Sequence, residues 1–382
     1  MLRGARTCHH RRMASDWDLP INPPVPPMLA APSASEVPED PHLAFEPKWD
    51  GFRALVFRAG ERVCIQGRGG DDLAYAFPEA VAALRDCLPD RVVLDGELVV
   101  VHDGVLDFTA LGSRLRPRSE SRSIQALAAQ HPTTFVAFDI LALGTRALLD
   151  ETYLARRGAL VGLGIDDPRV RITPMTRDHI EAVRWFHEFE GGGLDGLIAK
   201  PVDSTYQPGK RAMRKIKHRR TLDVVVAGWR AHAKDPEQIA SLLLGLYDEH
   251  GRLHHVGAAS GLSAARRREL TEDLRPLMLP DSAEHPWRDD GDTREVGHSA
   301  PVGPVRRPGG INRWSRGREQ AWHALRPDRV AEVTYDQFEG DRLRHVASWL
   351  RWRPDRAPSS CTYAQMPSPD LVDIDAILRP GT

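Results

Sequence analysis

Lysine is rare in this chain, and it falls where its chemistry would count. Of 52 Lys and Arg residues, six are lysine: Lys48, Lys200, Lys210, Lys215, Lys217 and Lys234. Arginine stays protonated, whereas a desolvated Lys amine can shed its proton and act as a nucleophile. Drift in base composition would also leave a few lysines behind. Four of the six, however, sit in short motifs beside acids, arginines and aromatics, which weakens that explanation.

The first motif is Glu46-Pro-Lys48-Trp-Asp50-Gly51-Phe-Arg53. It offers an amine before a glycine turn, with an acid and an Arg following, as a reactive Lys among phosphate-binding groups would require. Such spacing also arises by chance in a solvated turn. In Val93-Leu94-Asp95-Gly96-Glu97-Leu98 the two-residue period of a strand puts Asp95 and Glu97 on one face. That pair suits a ribose hydroxyl or a metal-bound water, and equally an edge strand with solvated acids. Phe135-Val-Ala-Phe138-Asp139 offers an aromatic face to a base, or is an ordinary core strand.

Asp195-Gly196-Leu-Ile-Ala-Lys200 follows, then Arg211-Ala-Met-Arg-Lys215-Ile-Lys217-His218. Lys215 and Lys217 share a strand face with no acid nearby in sequence, the makings of a phosphate clamp or of a basic surface strand. Arg351-Trp-Arg353-Pro-Asp355-Arg356, after the last expected hairpin, reads as bidentate phosphate contacts or as a basic tail. Gly191-Gly-Gly193-Leu-Asp-Gly196 matches a dinucleotide fingerprint only in letters, since it closes a helix instead of opening one. The chain has no G-x-x-x-x-G-K-[ST], and its sixteen histidines show no metal-ligand spacing.

The elements that must hold these motifs are legible from periodicity. Strands are expected at Phe52–Arg58, Arg62–Gln66, Val92–Val101, Thr134–Leu141, Gly196–Lys200 and Arg211–Lys217. Helices are expected at Pro78–Leu88, Glu151–Val161 and Arg177–Glu190, the last closed by Gly191–Gly193. From Leu222 the pattern turns to strand–turn–strand: Asp223–Arg230, Ser241–Tyr247, Leu253–Ala259, a helix capped by Ser263, Val330–Phe338 and Leu343–Val346. Few strands and one helix over this length fit a small Greek-key barrel of the OB type. Residues 20–41 are Pro-rich and read as an extended entry segment, while residues 280–318 read as loop.

Composition sets the outer limits. With 382 residues, 41% hydrophobic and 27% charged, the chain fits two globular domains rather than a disordered polymer. No apolar stretch approaches the roughly 18–20 residues of a membrane span, so no membrane partner is expected. Four cysteines without a C-x-x-C pair exclude a cysteine-rich zinc module and suit a reducing compartment. The Arg- and His-rich leader Met1–Arg12 lacks the apolar core of a secretory signal. It reads as a transit-like leader or as an extension upstream of a true start at Met13. Net charge is −1, yet residues 205–220 carry seven Lys/Arg and 299–318 five Arg, neither with an acid. Such stripes point to phosphate contacts, or to solvated faces.

Taken in order, these motifs resemble those of the covalent nucleotidyltransferase superfamily of ATP-dependent DNA ligases, RNA ligases and capping enzymes. The likeness is strongest to the small accessory bacterial (C-type) ATP-dependent DNA ligases and covers roughly residues 28–356. It implies an α+β fold: an ATP-grasp-like nucleotidyltransferase (adenylation) domain with a mostly antiparallel sheet core, followed by an OB-fold barrel. The implied organisation is a flexible leader over 1–27, adenylation domain over 28–220, OB domain over 221–356 and disordered tail over 357–382. The implied activity seals 5′-phosphate/3′-hydroxyl nicks in duplex DNA through a lysyl-AMP on Lys48 and an adenylylated DNA intermediate, in repair.

By motif position, the resemblance makes Glu46 the adenine-side residue, Arg53 a ribose or nick-phosphate contact, and Arg68 a second phosphate-facing Arg. Glu97 holds the ribose and contributes with Asp195 to a metal site, Phe138 stacks on adenine, and Lys215 and Lys217 hold the AMP phosphate. Arg353 and Asp355 orient the pyrophosphate. The implied cofactors are ATP and Mg²⁺ or Mn²⁺; the partner is nicked DNA, the state monomeric and the location a bacterial cytoplasm, at the nucleoid. Three positions depart from the family pattern: Asp195 where Glu is usual, Arg356 where Lys is common, and Gln66 where a small hydroxyl residue is common. Two competing readings are an RNA ligase or capping guanylyltransferase, and a catalytically silent OB protein that binds nucleic acid. Glu46-Pro-Lys48 and the closing Arg-x-Asp motif weigh against the first, and the retained lysines against the second.

Overall fold

The computed structural model describes residues 17–33, 36–288, 305–308, 321–366 and 372–378. Of the expected flexible leader, residues 1–16 lie outside them, as does most of the 299–318 stripe. The chain divides into two compact units, Met1–His218 with Pro369–Thr382, and Arg219–Ser368. Residues 17–27 are not a free leader, since Trp17, Leu19 and Val25 are buried in the first unit.

The first unit is built on a large sheet running Arg62–Gly67, Phe52–Ala59, Arg91–His102, Thr133–Leu143 and Arg146–Ala147, each antiparallel to the next. Val170–Ile172 joins Thr133–Leu143 in parallel. Arg91–His102 is buried along most of its length because both faces of the sheet are covered. On one face Ala54, Val56, Leu94 and Phe135 pack against Phe77, Ala80 and Leu84, the last two from the helix Pro78–Cys87. On the other, Leu55, Phe57, Val93 and Leu141 meet Met28, Tyr206 and Met213, while Val99, Val136 and Phe138 meet Phe45, Leu197 and Ile216.

Most of the residues facing that second side come from a smaller sheet, ordered Leu29–Pro32, Arg211–Ile216, Leu197–Pro201 and Leu43–Pro47. Its first pair is parallel and the others antiparallel. Leu29–Pro32 lies in the Pro-rich entry segment; its edge position asks nothing of the missing Pro32 N–H. Helix His179–Glu188 starts where Asp178 accepts from the Ile180 and Glu181 amides, and its exit is turned by Gly193 at φ +81°.

The second unit is an antiparallel sheet ordered Leu253–Ala259, Asp235–Tyr247, Arg220–His232, His323–Tyr335 and Ser348–Trp352. Its two edges meet: the Ala347 amide donates to the Ala258 carbonyl at 2.9 Å, and the Ser260 amide to the Ala347 carbonyl at 3.2 Å. The sheet therefore closes into the five-stranded barrel of an OB fold. Helix Ala264–Leu274, capped by Ser263, adds Leu270 and Leu274 to the barrel core. The last expected hairpin shrinks to Phe338–Glu339 with Arg342–Leu343. Arg351, expected beyond it, lies in the closing strand.

The expected disordered tail is also different. Cys361 is fully buried in the barrel core, and its carbonyl accepts from the Tyr247 amide at 2.8 Å. Residues 372–378 return to the first unit: Ile374, Ile377 and Leu378 are buried with Trp185 and Phe189, and the Ile374 amide donates to Gly104 O at 2.8 Å. A polar, Pro-rich stretch conceals these few apolar anchors.

Candidate active site

Lys48 stands just past Leu43–Pro47 and prolongs its pairing with Leu197–Pro201. Its amide donates to Gly196 O at 2.9 Å, and its carbonyl accepts from the Asp195 amide at 3.1 Å. Residues 147 apart in sequence are thus held by backbone. Two glycines beside this pairing let neighbouring strands approach closely. A Cβ on Gly51 would strike the Leu98 carbonyl, and one on Gly196, at φ +121°, would strike that of Ile216.

Lys48 Nζ lies 2.6 Å from Asp195 Oδ2, and Lys217 Nζ lies 2.6 Å from the same oxygen. Burial pushes the Asp195 carboxyl up, but the two ammonium groups outweigh it and hold the group below the ordinary Asp range. Lys217, with no acid near it in sequence, therefore has one in space. Lys215, two residues earlier on the chain, pairs at its Cα with Ile198 and Pro32.

A second ion pair is deeply buried. Glu46 and Lys200 are both 2% exposed, and Lys200 Nζ lies 2.8 Å from Glu46 Oε2. Tyr153 Oη donates to Glu46 Oε1 at 2.5 Å, and Lys200 also donates to Phe138 O at 2.9 Å. The Phe138 ring has Lys200 Nζ 5.0 Å from its centroid and the Arg53 guanidinium 4.5 Å from it. Arg53 is itself clamped, Nε and Nη2 each donating to Asp95 at 2.6 Å, and Tyr206 Oη donates to Asp95 at 2.6 Å. Glu97 pairs opposite Arg53 across the strands. Burial pushes its carboxyl up to about 7, against the pull of Arg53 and Lys48.

The first unit thus brings together Glu46, Lys48, Arg53, Glu97, Phe138, Asp195 and Lys217. Arg68 is exposed in the turn after Arg62–Gly67. Gln66 does structural work: its Nε2 donates to Val25 O at 2.6 Å and its Oε1 accepts from the Val25 amide at 2.9 Å. Arg353 and Asp355 belong to the second unit. There Arg353 donates to both Asp223 oxygens at 3.0 Å and, through Nη2, to Asp355 at 2.7 Å. That hydrogen bond holds the Asp355 carboxyl down at about 2.

The groups present fit a nucleoside triphosphate: cations at Lys48 and Lys217, a carboxylate at Glu46 and an aromatic face at Phe138. Among the described residues no three His, Cys, Asp or Glu side chains gather as a metal site. An ion held by one or two carboxylates plus phosphate and water needs fewer, and Asp195 and Glu97 are hard oxygen donors of that kind. Sequence reasoning gave no role to Tyr153, Tyr206, Lys200 or Asp223. Rarity singles out Lys200, whereas the tyrosines and Asp223 carry no local signal.

A family model described as ATP dependent DNA ligase domain matches residues 27–217, and one described as ATP dependent DNA ligase C terminal region matches 235–356. DNA ligase C of Mycobacterium tuberculosis (strain ATCC 25618 / H37Rv) is 46% identical over 368 residues, covering 95% of this chain and 99% of that protein. DNA ligase C2 of Mycolicibacterium smegmatis (strain ATCC 700084 / mc(2)155) is 47% identical over 355 residues, covering 92% and 97%. A solved structure named Pmar-Lig_Pre is similar at a TM-score of 0.53 and 15% identity, over 86% of this chain and 68% of that one, a likeness of fold alone.

Proposed function

The chain belongs to the ATP-dependent DNA ligase family, and from that premise we propose how its residues divide the work of sealing 5′-phosphate/3′-hydroxyl nicks. Lys48 loses a proton, and its Nζ lone pair attacks the α-phosphorus of ATP. A P–N bond forms as the α–β anhydride breaks and pyrophosphate leaves. The AMP then passes to the 5′-phosphate of the nick, freeing Lys48, and the 3′-hydroxyl displaces AMP to complete the phosphodiester.

The observation that carries this reading is the single Asp195 oxygen shared by Lys48 and Lys217. A carboxylate held ionised there fixes the nucleophile beside a second amine that can take up phosphate charge. Glu46, locked by Tyr153 and Lys200, faces adenine, and Phe138 stacks on it. Glu97 holds the ribose, Arg53 and Arg68 meet ribose or phosphate oxygens, and Lys215 joins Lys217 on the AMP phosphate. Arg353 and Asp355 orient the pyrophosphate. Asp195 and Glu97 would hold Mg²⁺ or Mn²⁺, which supplies positive charge to the triphosphate. The protein works as a monomer on nicked duplex DNA, in repair, in the bacterial cytoplasm at the nucleoid. Among the described residues no helix is long and apolar enough to cross a membrane.

The test is labelling of the protein after pyrophosphate treatment and desalting, with α-labelled ATP, α-labelled GTP or labelled NAD in the presence of Mg²⁺. Acid-stable, hydroxylamine-labile label from ATP alone is expected. Label from GTP would move the reading to capping chemistry, and no label from any donor would leave a silent binding protein.

A further inference from the structure

The end of the chain is seated on the turn that leads into Asp195. Helix His179–Glu188 runs on into the short turn Phe189–Gly192, and Gly193 at φ +81° leads through Leu194 to Asp195. Beyond it the strand Leu197–Pro201 is fixed by backbone pairing on both sides. Asp195 lies in the connection before that strand, its amide donating to Lys48 O at 3.1 Å. The packing of the preceding turn therefore sets where its carboxylate stands.

Residues 372–378 supply part of that packing. A Cβ on Gly192 would come within 2.6 Å of Ile374 Cδ1 and 3.3 Å of Val372 O, so the chain end fills the space this glycine leaves. The Ile374 amide donates to Gly104 O at 2.8 Å. Gly104 sits in the turn joining Arg91–His102 to Val105–Leu106. Beside it Asp103, at φ +50°, is the one non-glycine residue with positive φ among the described residues. The same turn ends in Val105 and Leu106, whose side chains lie 3.5 and 3.4 Å from where a Gly193 Cβ would stand.

Ile374, Ile377 and Leu378 are buried in one apolar cluster with Leu194, Ile216 and Trp49. Those last three are the chain neighbours of Asp195, Lys217 and Lys48. The cluster adjoining the three charged groups thus includes the end of the chain, and a close-packed interior passes small displacements on to its neighbours.

We propose that Ile374 is a positioning residue for Asp195: seated against Gly192, it holds the turn through Leu194 so that the carboxylate meets Lys48 and Lys217. The inference rests on the nick-sealing reading and brings into it a segment with no assigned part in binding ATP or DNA.

The test is the self-adenylylation rate of the full chain with α-labelled ATP. Ile374→Asp puts a charge into an apolar seat and so frees the chain end. It should slow labelling at saturating ATP roughly tenfold, less than the about 10²-fold of Asp195→Asn, and leave KM for ATP unchanged. In an Asp195→Asn background the same change should cost less than about twofold, because the group it positions is already gone. Equal losses in the two backgrounds would overturn the proposal, as would an unchanged rate, or a raised KM at an unchanged saturating rate. Gly192→Ala should also slow labelling, and adding Ile374→Val, which removes the Cδ1 that the new methyl would strike, should restore it. This pair carries the measurement if Ile374→Asp melts early, and a failed rescue counts against the proposal. A wild-type chain that takes no label would overturn the nick-sealing reading and the inference together; a labelling wild type with additive losses overturns the inference alone.

Discussion

Lys48 and Lys217 place their Nζ atoms 2.6 Å from one and the same oxygen, Oδ2 of Asp195. The two lysines come from distant segments of the chain, and the smaller sheet joins them. Lys48→Arg keeps the charge but removes the nucleophile. It should fold with an unchanged melting temperature and take no AMP label; a labelled Lys48→Arg protein would refute the assignment. Asp195→Asn should still label, about 10²-fold more slowly, as expected when one preorganised charge is lost.

Glu46 and Lys200 make a different kind of pair, buried on both sides. Removing one partner strands a charge in the interior, at a cost of roughly 3–5 kcal/mol. Lys200→Met should therefore lower the melting temperature by on the order of 10 °C in a unit of this size. Tyr153→Phe removes only a hydrogen bond to the carboxylate, about 1.5–3 kcal/mol. Its melting temperature should fall less, and KM for ATP should rise if Glu46 reads the base. An unchanged KM with a lowered melting temperature would leave Tyr153 a purely structural role.

Glu97 gives a pH test with a fixed sign. Its carboxyl titrates near 7 in the folded protein and near 4.5 when unfolded, because burial disfavours the charged form. Between those values the native state binds the extra proton, so stability falls as pH rises through this window. Glu97→Gln should melt above wild type at pH 8, with the advantage gone near pH 4. The same variant should be slow in self-adenylylation. A melting difference independent of pH would show that Glu97 is not the group responsible.

Arg353 separates two steps of the reaction. If it orients pyrophosphate, Arg353→Ala should slow self-adenylylation much more than sealing of nicks that already carry AMP. Parallel measurement of both rates decides the matter, and equal losses would remove this role. Asp223 is held by the same guanidinium, so Asp223→Asn should reproduce part of the defect.

Much of this was legible along the chain. The alternation of Val93-Leu94-Asp95-Gly96-Glu97 places both acids on one strand, and scarcity of lysine singles out Lys48, Lys215 and Lys217. Strand and helix periodicity locates the large sheet and the barrel, since local hydrophobic repeats reflect which faces are buried. The small strands Leu29–Pro32 and Leu43–Pro47 were not legible, because proline and short length mask their pairing. Nor were the anchors of the end of the chain, Cys361 and Ile374, where isolated apolar residues in polar sequence show no period.

The sequence by itself determined which groups were available: one amine before a glycine turn, a few acids on strands and an excess of arginine. Only the tertiary structure decided their partners. It set Lys217 against Asp195, Glu46 against Lys200 and Tyr153, and Arg353 against Asp223. The physical reason is that an ion pair depends on distance through space, and sheet pairing joins residues whose separation along the chain carries no signal of that distance.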